Sequence, residues 1–344
     1  MATGTSVKAQ VRLDDVAREA GVSRATASRA LTGAGPVSAL TRETVRAAAK
    51  TLGFAPNQAA RTLAGRKTEA IALVIPEPDA LVLADPFLTG MITGVSEAFH
   101  PTPYQLILVI VRPDEPTSKN ARVLRPDYVD GAIIASHHRS GMISQTLTAN
   151  DVPTVYVGRP WVRAGKSVMY VDVDNRLGGR LATQRLLGVG ATRVACLAGP
   201  SDMTPVTDRT TGWHDALDAA GQVGGPLEHA PFTLQGGIAA MQAILARDPG
   251  VDAVFAQSDL LAVGAMQALA EAGRGVPGDV KVVGMDDAAV ARAAVPPLTS
   301  VTNPAAELAV RACQMLMKVI TEGADPHTLE PEILIPELVV RQSA

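Results

Sequence analysis

The chain has 344 residues, 47% of them hydrophobic and 19% charged, with a formal net charge of −3. That length and apolar content suit two or three packed domains, and no run reaches the roughly eighteen apolar residues of a membrane-spanning helix. The charge is unevenly placed: residues 1–67 carry eleven Lys or Arg against four Asp or Glu (net +7), and residues 68–344 carry twenty against thirty (net −10). A basic head on an acidic body fits a phosphate-binding end whose affinity falls with salt.

Residues 1–10 lack the charged-then-apolar pattern of a signal peptide and read as a disordered tail, which points to the cytoplasm. Residues 13–31, LDDVAREAGVSRATASRAL, then read as a helix-turn-helix. Leu13, Val16, Ala17 and Ala20 recur at helical spacing, Gly21 allows the tight turn, and Ser23 can cap the next helix. That second helix, about 24–31, buries Ala27, Ala30 and Leu31 and turns Arg24, Ala25, Ser28 and Arg29 outward, the layout for a major groove. Ser38 can cap a third helix whose apolar stripe is Val45, Ala48, Ala49 and Leu52, with Gly53 as its left-handed stop. Pro56 and Asn57 can open, and Gly65 close, a helix of about eight residues that is marginal by itself.

From residue 70 short apolar strands alternate with helical stretches. Strands are expected at 70–75, 106–111, 131–135, 153–157, 168–171, 194–198, 252–257, 280–284 and 298–302, and helices at 88–99, 140–149, 175–188, 208–220, 236–247, 260–272 and 304–322. Runs apolar throughout, such as ALVIP and LILVIV, suit strands covered on both faces, so the pattern is that of doubly wound parallel α/β sheets. Cys196 and Cys313 have neither metal nor redox spacing. No Ser–His–Asp set, phosphate-cradling glycine loop or metal cluster emerges, so neither enzyme activity nor a cofactor is expected.

DVAREAGVSRATASRAL at 15–31, GPVSALTRETVRAAAKTLGFAPNQAARTLAG at 35–65 and AIALVIP at 70–76 match, in order and spacing, the pattern of the lactose-repressor (LacI/GalR) family. The chain resembles a member of that family, a homodimeric repressor of near-palindromic operator DNA controlled by a small molecule. The resemblance implies a helix-turn-helix domain at 11–55, a hinge helix and linker at 56–67, and a two-lobed, periplasmic-binding-protein-like effector and dimerisation domain at 68–344. The N-lobe would take about 68–172 and 303–328 and the C-lobe about 173–302 and 329–344, with chain crossings near 172, 303 and 329. Positions matching Arg24, Ala25 and Arg29 read bases in the major groove. Those matching Asn57 and Ala60 lie along the minor groove, and the one matching Leu63 is wedged between base pairs. Arg12, Ser23, Thr26, Ser28 and Arg61 complete the expected DNA-contacting set. Two positions depart from the pattern: Arg12 replaces a common capping threonine, and Asp14 replaces a Lys or Tyr that meets phosphate. No leucine heptad follows the last strand, which argues against a tetramer built by a coiled coil.

For the effector the resemblance points to Asp85 and Phe87 in an Asp-Pro-Phe form of the Asn-Pro-Phe motif, then to Arg159, Arg209, Phe232, Ser258 and Asp286. Arginine forks and carboxylates grip vicinal hydroxyls, and an aromatic ring covers the apolar side of a sugar. Plainer readings stand beside the functional ones: Phe232 is core or platform, Asp259 beside Ser258 is a helix cap before it is a ligand, and His137 and His138, which follow the strand GAIIA, are weaker candidates to line the cleft and more often a solvated pair. Met203 and Pro205 disfavour a purine, and Gly158 lacks the carboxylate of many sugar-binding members. A monosaccharide or short oligosaccharide is the first expectation, with a nucleoside or other polyol the second. A transport-type sugar-binding protein, or an enzyme on the same scaffold, is the rival reading.

Overall fold

The computed structural model describes residues 11–32, 35–54, 67–112, 121–139, 142–161 and 168–344. The expected tail and the hinge segment, with Asn57, Ala60, Arg61 and Leu63, lie outside the described residues. The chain divides after Thr68 into two compact units.

The first unit holds three helices, α1 (Leu13–Glu19), α2 (Arg24–Thr32) and α3 (Ala39–Leu52). Val16, Ala17, Ala27, Ala30, Val45, Ala48 and Ala49 form its buried centre, with Leu13, Val22, Leu31, Leu52 and Phe54 packed around them. Small alanines let three short helices approach closely, so a modest core suffices. Gly21 turns the chain at φ +63°, a conformation that costs other residues more. The Ser23 hydroxyl accepts from the Thr26 N–H at 3.1 Å and that of Ser38 from the Thr41 N–H at 3.1 Å, each satisfying an open amide of the first turn. Gly53, left-handed at φ +66°, ends α3.

The second unit begins with β1 (Ala70–Ile75), α4 (Asp79–Ala84), α5 (Pro86–Phe99), β2 (Gln105–Ile110), β3 (Gly131–Ala135), α6 (Met142–Ala149), β4 (Thr154–Val157) and β5 (Tyr170–Val173). There follow α7 (Asn175–Gly188), β6 (Val194–Ala198), α8 (Thr204–Ala219), β7 (Leu227–His229), α9 (Leu234–Arg247), β8 (Ala253–Ala256) and α10 (Asp259–Glu271). The last elements are β9 (Lys281–Asp286), α11 (Ala289–Ala293), β10 (Thr299–Thr302), α12 (Ala305–Glu322), β11 (Glu332–Leu334) and β12 (Leu338–Val339). The strands form two six-stranded sheets, ordered β11-β5-β4-β3-β1-β2 and β12-β10-β9-β8-β6-β7. Pairing is parallel throughout except between β10 and β12.

Alternation sorts β1 cleanly. Ile71, Leu73 and Ile75 join one buried cluster with Met91 of α5 and Leu316 of α12. Ala70, Ala72 and Val74 join another with Leu124 and Leu147. Both faces are covered, as all-apolar strands require. The second sheet divides likewise, with Leu197 against Met241 and Leu269 on one side and Cys196 against Leu186 and Trp213 on the other. Each sheet therefore sits in its own lobe. The chain passes between lobes after β5, after β10 and after β11. The last crossing differs from the one expected near 329: Glu332–Leu334 pair with β5 in the first sheet, so the chain crosses between 334 and 338.

Helices α7 and α8 pack together over two glycines. A Cβ on Gly179 would stand 2.1 Å from the Arg209 carbonyl oxygen, and one on Gly212 would stand 2.0 Å from that of Arg176. This close crossing sets where the Arg209 side chain starts. Gly179→Ala should therefore destabilise the protein by about 1–3 kcal/mol, because a backbone contact cannot yield as a side chain can. Gly188→Ala, on the same helix with nothing within 4 Å of the added carbon, should be neutral or slightly stabilising. Denaturant unfolding of the two variants checks this; equal midpoints would contradict it.

Candidate functional site

On α2 the outward face carries Arg24, Ala25 and Arg29, exposed like the capping Ser23 before them, while Thr26 and Ser28 are half-buried at its edge. Arg29 Nε donates to the Ala25 carbonyl at 3.2 Å. Arg24 pairs with Asp14 of α1 at 3.4 Å, both side chains largely exposed. An exposed pair of this kind is worth little, so Arg24 can exchange Asp14 for another acceptor at small cost. Arg12 is exposed and precedes α1; its backbone N–H donates to the Asp15 carboxylate at 2.9 Å.

In the second unit the carboxyl ends of the strands converge on one cavity, part of it open to solvent. Asp85, Phe87, Arg209, Phe232 and Ser258 line it, as do Met203 and Pro205. Asp85 caps α5, its Oδ1 accepting from the Phe87 N–H at 2.8 Å. Burial raises its carboxyl to about 7, and the neighbouring Asp286 and Glu77 add to the rise. Ser258 caps α10 through the Leu261 N–H at 3.2 Å. The ring of Phe232 lies against Gly199: a Cβ there would fall 2.1 Å from the ring's Cζ. Glycine at 199 thus makes the space that lets the ring reach the cavity.

Arg209 is buried at 6% exposure. Its Nε donates to Asn175 Oδ1 at 2.8 Å and its Nη1 to the Gln257 carbonyl at 2.6 Å. Burial lowers its pKa, opposed by the charges of Asp286, Asp172, Asp85 and Asp208. Asp286 stands just behind the lining, accepting from Asn303 Nδ2 at 2.9 Å; desolvation raises its pKa and Arg209 opposes the rise. Asp172 is buried, with N–H donors from Arg159, Val173 and Asn175 on its two oxygens. Desolvation nonetheless raises it to about 6.

Arg159 departs from the expected role. Its guanidinium turns to Asp208 on α8, at 2.8 and 2.7 Å, and only its backbone stands near the cavity wall. It ties one lobe to the other. The same is true of His138, whose ring contacts Glu77 at 3.0 Å in the first lobe and Asp202 at 2.9 Å in the second. The hydrogen bond to Glu77 is the main reason its pKa rises to about 9. Trp161 Nε1 and the Arg139 N–H both donate to the Asp202 carbonyl, at 2.7 and 3.0 Å, and the Arg139 guanidinium lies 4.1 Å above the Trp161 ring. The two histidines are therefore not a solvated pair. His137 lines the cavity, contacts the Gly158 carbonyl at 3.0 Å, and is driven by burial down to about 4.

Ser136, Asn175 and Asn303 also line the cavity and were not picked out from the sequence as ligand contacts; His137, a weaker cleft candidate, lines it too. Ser136, Asn175 and Asn303 follow β3, β5 and β10 by one or two residues, which is the signal that could have found them, since ligands sit beyond the carboxyl ends of parallel strands.

A two-lobed sheet protein with a polar interlobe cavity, joined in sequence to a helix-turn-helix unit, defines a ligand-responsive regulator of DNA. The family model for bacterial regulatory proteins of the lacI family matches residues 12–57, and that for a periplasmic binding protein-like domain matches residues 183–344. The HTH-type transcriptional regulator CelR of Thermobifida fusca is 42% identical over 335 residues, 96% of this chain and 97% of the relative. The ribose operon repressor of Escherichia coli (strain K12) is 34% identical over 340 residues, 96% of this chain and 99% of the relative. A solved complex of CelR with cellobiose superposes with a TM-score of 0.77 at 39% identity, covering 97% of this chain and all of that one. The lac repressor dimer bound to operator shares the fold, with a TM-score of 0.82 at 24% identity over 97% of this chain and 99% of that one. The chain belongs to the LacI family of DNA-binding transcriptional regulators.

The His138 clasp has a defined pH dependence. Its pKa is raised in the fold to about 9 from an ordinary 6.5, so its stabilisation is complete below pH 6.5 and is lost as pH rises through 9. His138→Gln should lower stability most at pH 6 and progressively less toward pH 9.5. A penalty that is constant across that range, measured by urea unfolding, would rule out a charged imidazolium in the clasp.

Proposed function

We propose that two copies of this chain bind a near-palindromic operator and repress transcription, and that a sugar held between the lobes adjusts that binding. The exposed face of α2 enters the major groove, with Arg24, Ala25 and Arg29 at base edges and Arg12, Ser23, Thr26 and Ser28 at the flanking backbone. Arg24 exchanges Asp14 for the O6 and N7 acceptors of a guanine. Asn57, Ala60 and Arg61 follow the minor groove, and Leu63 wedges the central step. The protein acts in the cytoplasm as a sensor and not as a catalyst.

The observation that carries the sensor half is Arg209, a buried guanidinium fixed by Asn175 and the Gln257 carbonyl at the wall of the cavity. With Asp85 and Asp286 near it and Phe232 beside it, the wall offers acceptors, a fork of donors and an aromatic face. Those are the elements that grip a pyranose or furanose. A CelR relative is solved with cellobiose bound, and a glucose disaccharide is the first candidate. Sugar contacts to both lobes favour one interlobe spacing, and the linker at 56–67 carries that preference to the DNA-binding unit. A coupling of about 1–3 kcal/mol changes operator occupancy 5–150-fold.

Genomic fragments selected by the purified full-length protein, then titrated by fluorescence anisotropy with and without cellobiose, test the proposal. Arg24→Ala should relax the base preference at one position in each half-site and cost about 1–3 kcal/mol there. Arg209→Gln should leave operator affinity intact while abolishing the response to sugar. A protein that prefers no fragment over random competitor would refute the regulator half, and an unaltered sugar response in Arg209→Gln would refute the sensor half.

A further inference from the structure

The cavity is acidic. Among the described residues that line it, the permanent cation is Arg209, which lies in the field of Asp85, Asp172, Asp208 and Asp286. Arg159 is engaged by Asp208 and turned to the lobe contact. His137 brings no positive charge, since burial holds its pKa near 4. The oxygens of Asp172 already accept from three N–H groups. Asp85 and Asp286 are less committed: the first accepts from the backbone N–H groups of Phe87 and Leu88, and the second from Asn303 Nδ2 and the Asp259 N–H. An ionised carboxylate offers about four lone-pair sites, so both keep room for donors.

A sugar hydroxyl can donate to a carboxylate and accept from a guanidinium at once. A ligand carboxylate can only accept. Placed here it would bring another negative charge beside Asp85 and Asp286, in a site where little water or salt screens the repulsion. The one compensating guanidinium already faces four acids.

We infer that the cavity sorts sugars by charge: it takes an uncharged sugar whose hydroxyls donate to Asp85 and accept from Arg209, with the charge of Asp286 close behind the wall, and it rejects the uronate of the same sugar. This rests on the proposal that a sugar occupies the cavity. It adds a property that the cavity's size does not confer, because a carboxylate is close in volume to the hydroxymethyl group it replaces.

Electrostatic rejection has a signature that steric rejection lacks. The groups facing Asp85 are Asp286 and Glu77, which raise its pKa, and Arg209, which it attracts in turn; Glu77 is itself bonded to His138 and Ser136. With Asp85 titrating at about 7, the cavity is less negative at pH 6 than at pH 8, while a uronate is ionised at both. The preference for the neutral sugar should widen as pH rises.

The test is isothermal titration calorimetry of the full-length protein at pH 6 and pH 8 with two matched pairs, cellobiose with cellobiouronate and glucose with glucuronate. For whichever pair binds, the neutral member should bind about tenfold or more tightly at pH 8, and the ratio should shrink at pH 6. Asp85→Asn, which keeps the capping oxygen for Phe87, should reduce the pH dependence of that ratio, leaving the smaller part carried by Asp172 and Asp286, which titrate at about 6. Equal or tighter binding of the uronate at pH 8, or a ratio that does not change with pH, overturns the charge selection and leaves the sugar reading standing. Binding of neither member of either pair overturns both.

Discussion

The placement of one buried guanidinium organises the polar wall of the interlobe cavity. Arg209 leaves α8 where that helix is pressed against α7 over Gly179 and Gly212. It is then fixed by Asn175 and by the Gln257 carbonyl. Removing a guanidinium from water is expensive unless its donors are met and counter-charges stand near. Here two hydrogen bonds and four carboxylates supply that compensation, and Asp85, Asp172 and Asp286 bear a cost of their own in raised pKa. The result is a polar network held in place by the fold, with Arg209 at the cavity wall.

The segment from Gly199 to Arg209 joins this network to the interlobe contacts. Within it Met203, Pro205 and Arg209 line the cavity. Asp202 receives His138 and Trp161, and Asp208 receives Arg159. The Thr204 hydroxyl donates to the Arg159 carbonyl. A ligand that draws on Arg209 therefore acts on the same stretch that meets the opposite lobe. Coupling between occupancy and lobe spacing needs no long path, because both are read by neighbouring residues of one loop and the first turns of one helix.

The sequence was legible where the signal is local. Central strands such as AIALVI at 70–75 and VACLA at 194–198 are apolar throughout because both faces are covered. The helix-turn-helix declares itself through Gly21, Ser23 and an alanine stripe. What escaped depends on distant partners. The three-residue β7 and β11 and the two-residue β12 lie at or beside sheet edges and carry no periodicity of their own; each exists because another strand offers a hydrogen-bonding edge. Missing β11 is what misplaced the last crossing. Of the expected effector residues, Asp85, Phe87, Arg209, Phe232 and Ser258 converge on the cavity, since they follow strands whose ends must meet. Asp286 stands behind Asn303. Arg159 follows its strand in the same way, but its fate was decided by Asp208, forty-nine residues later. His138 likewise found its two carboxylates sixty-one and sixty-four residues away, beyond the reach of any local pattern.

If ligand and operator act on one conformational equilibrium, each must alter affinity for the other by the same factor. The decisive measurement is a thermodynamic square on the full-length protein: operator affinity with and without saturating cellobiose, and cellobiose affinity with and without saturating operator. The account predicts two ratios that differ from one and agree with each other. A sugar that binds the cavity while leaving operator affinity unchanged would contradict it.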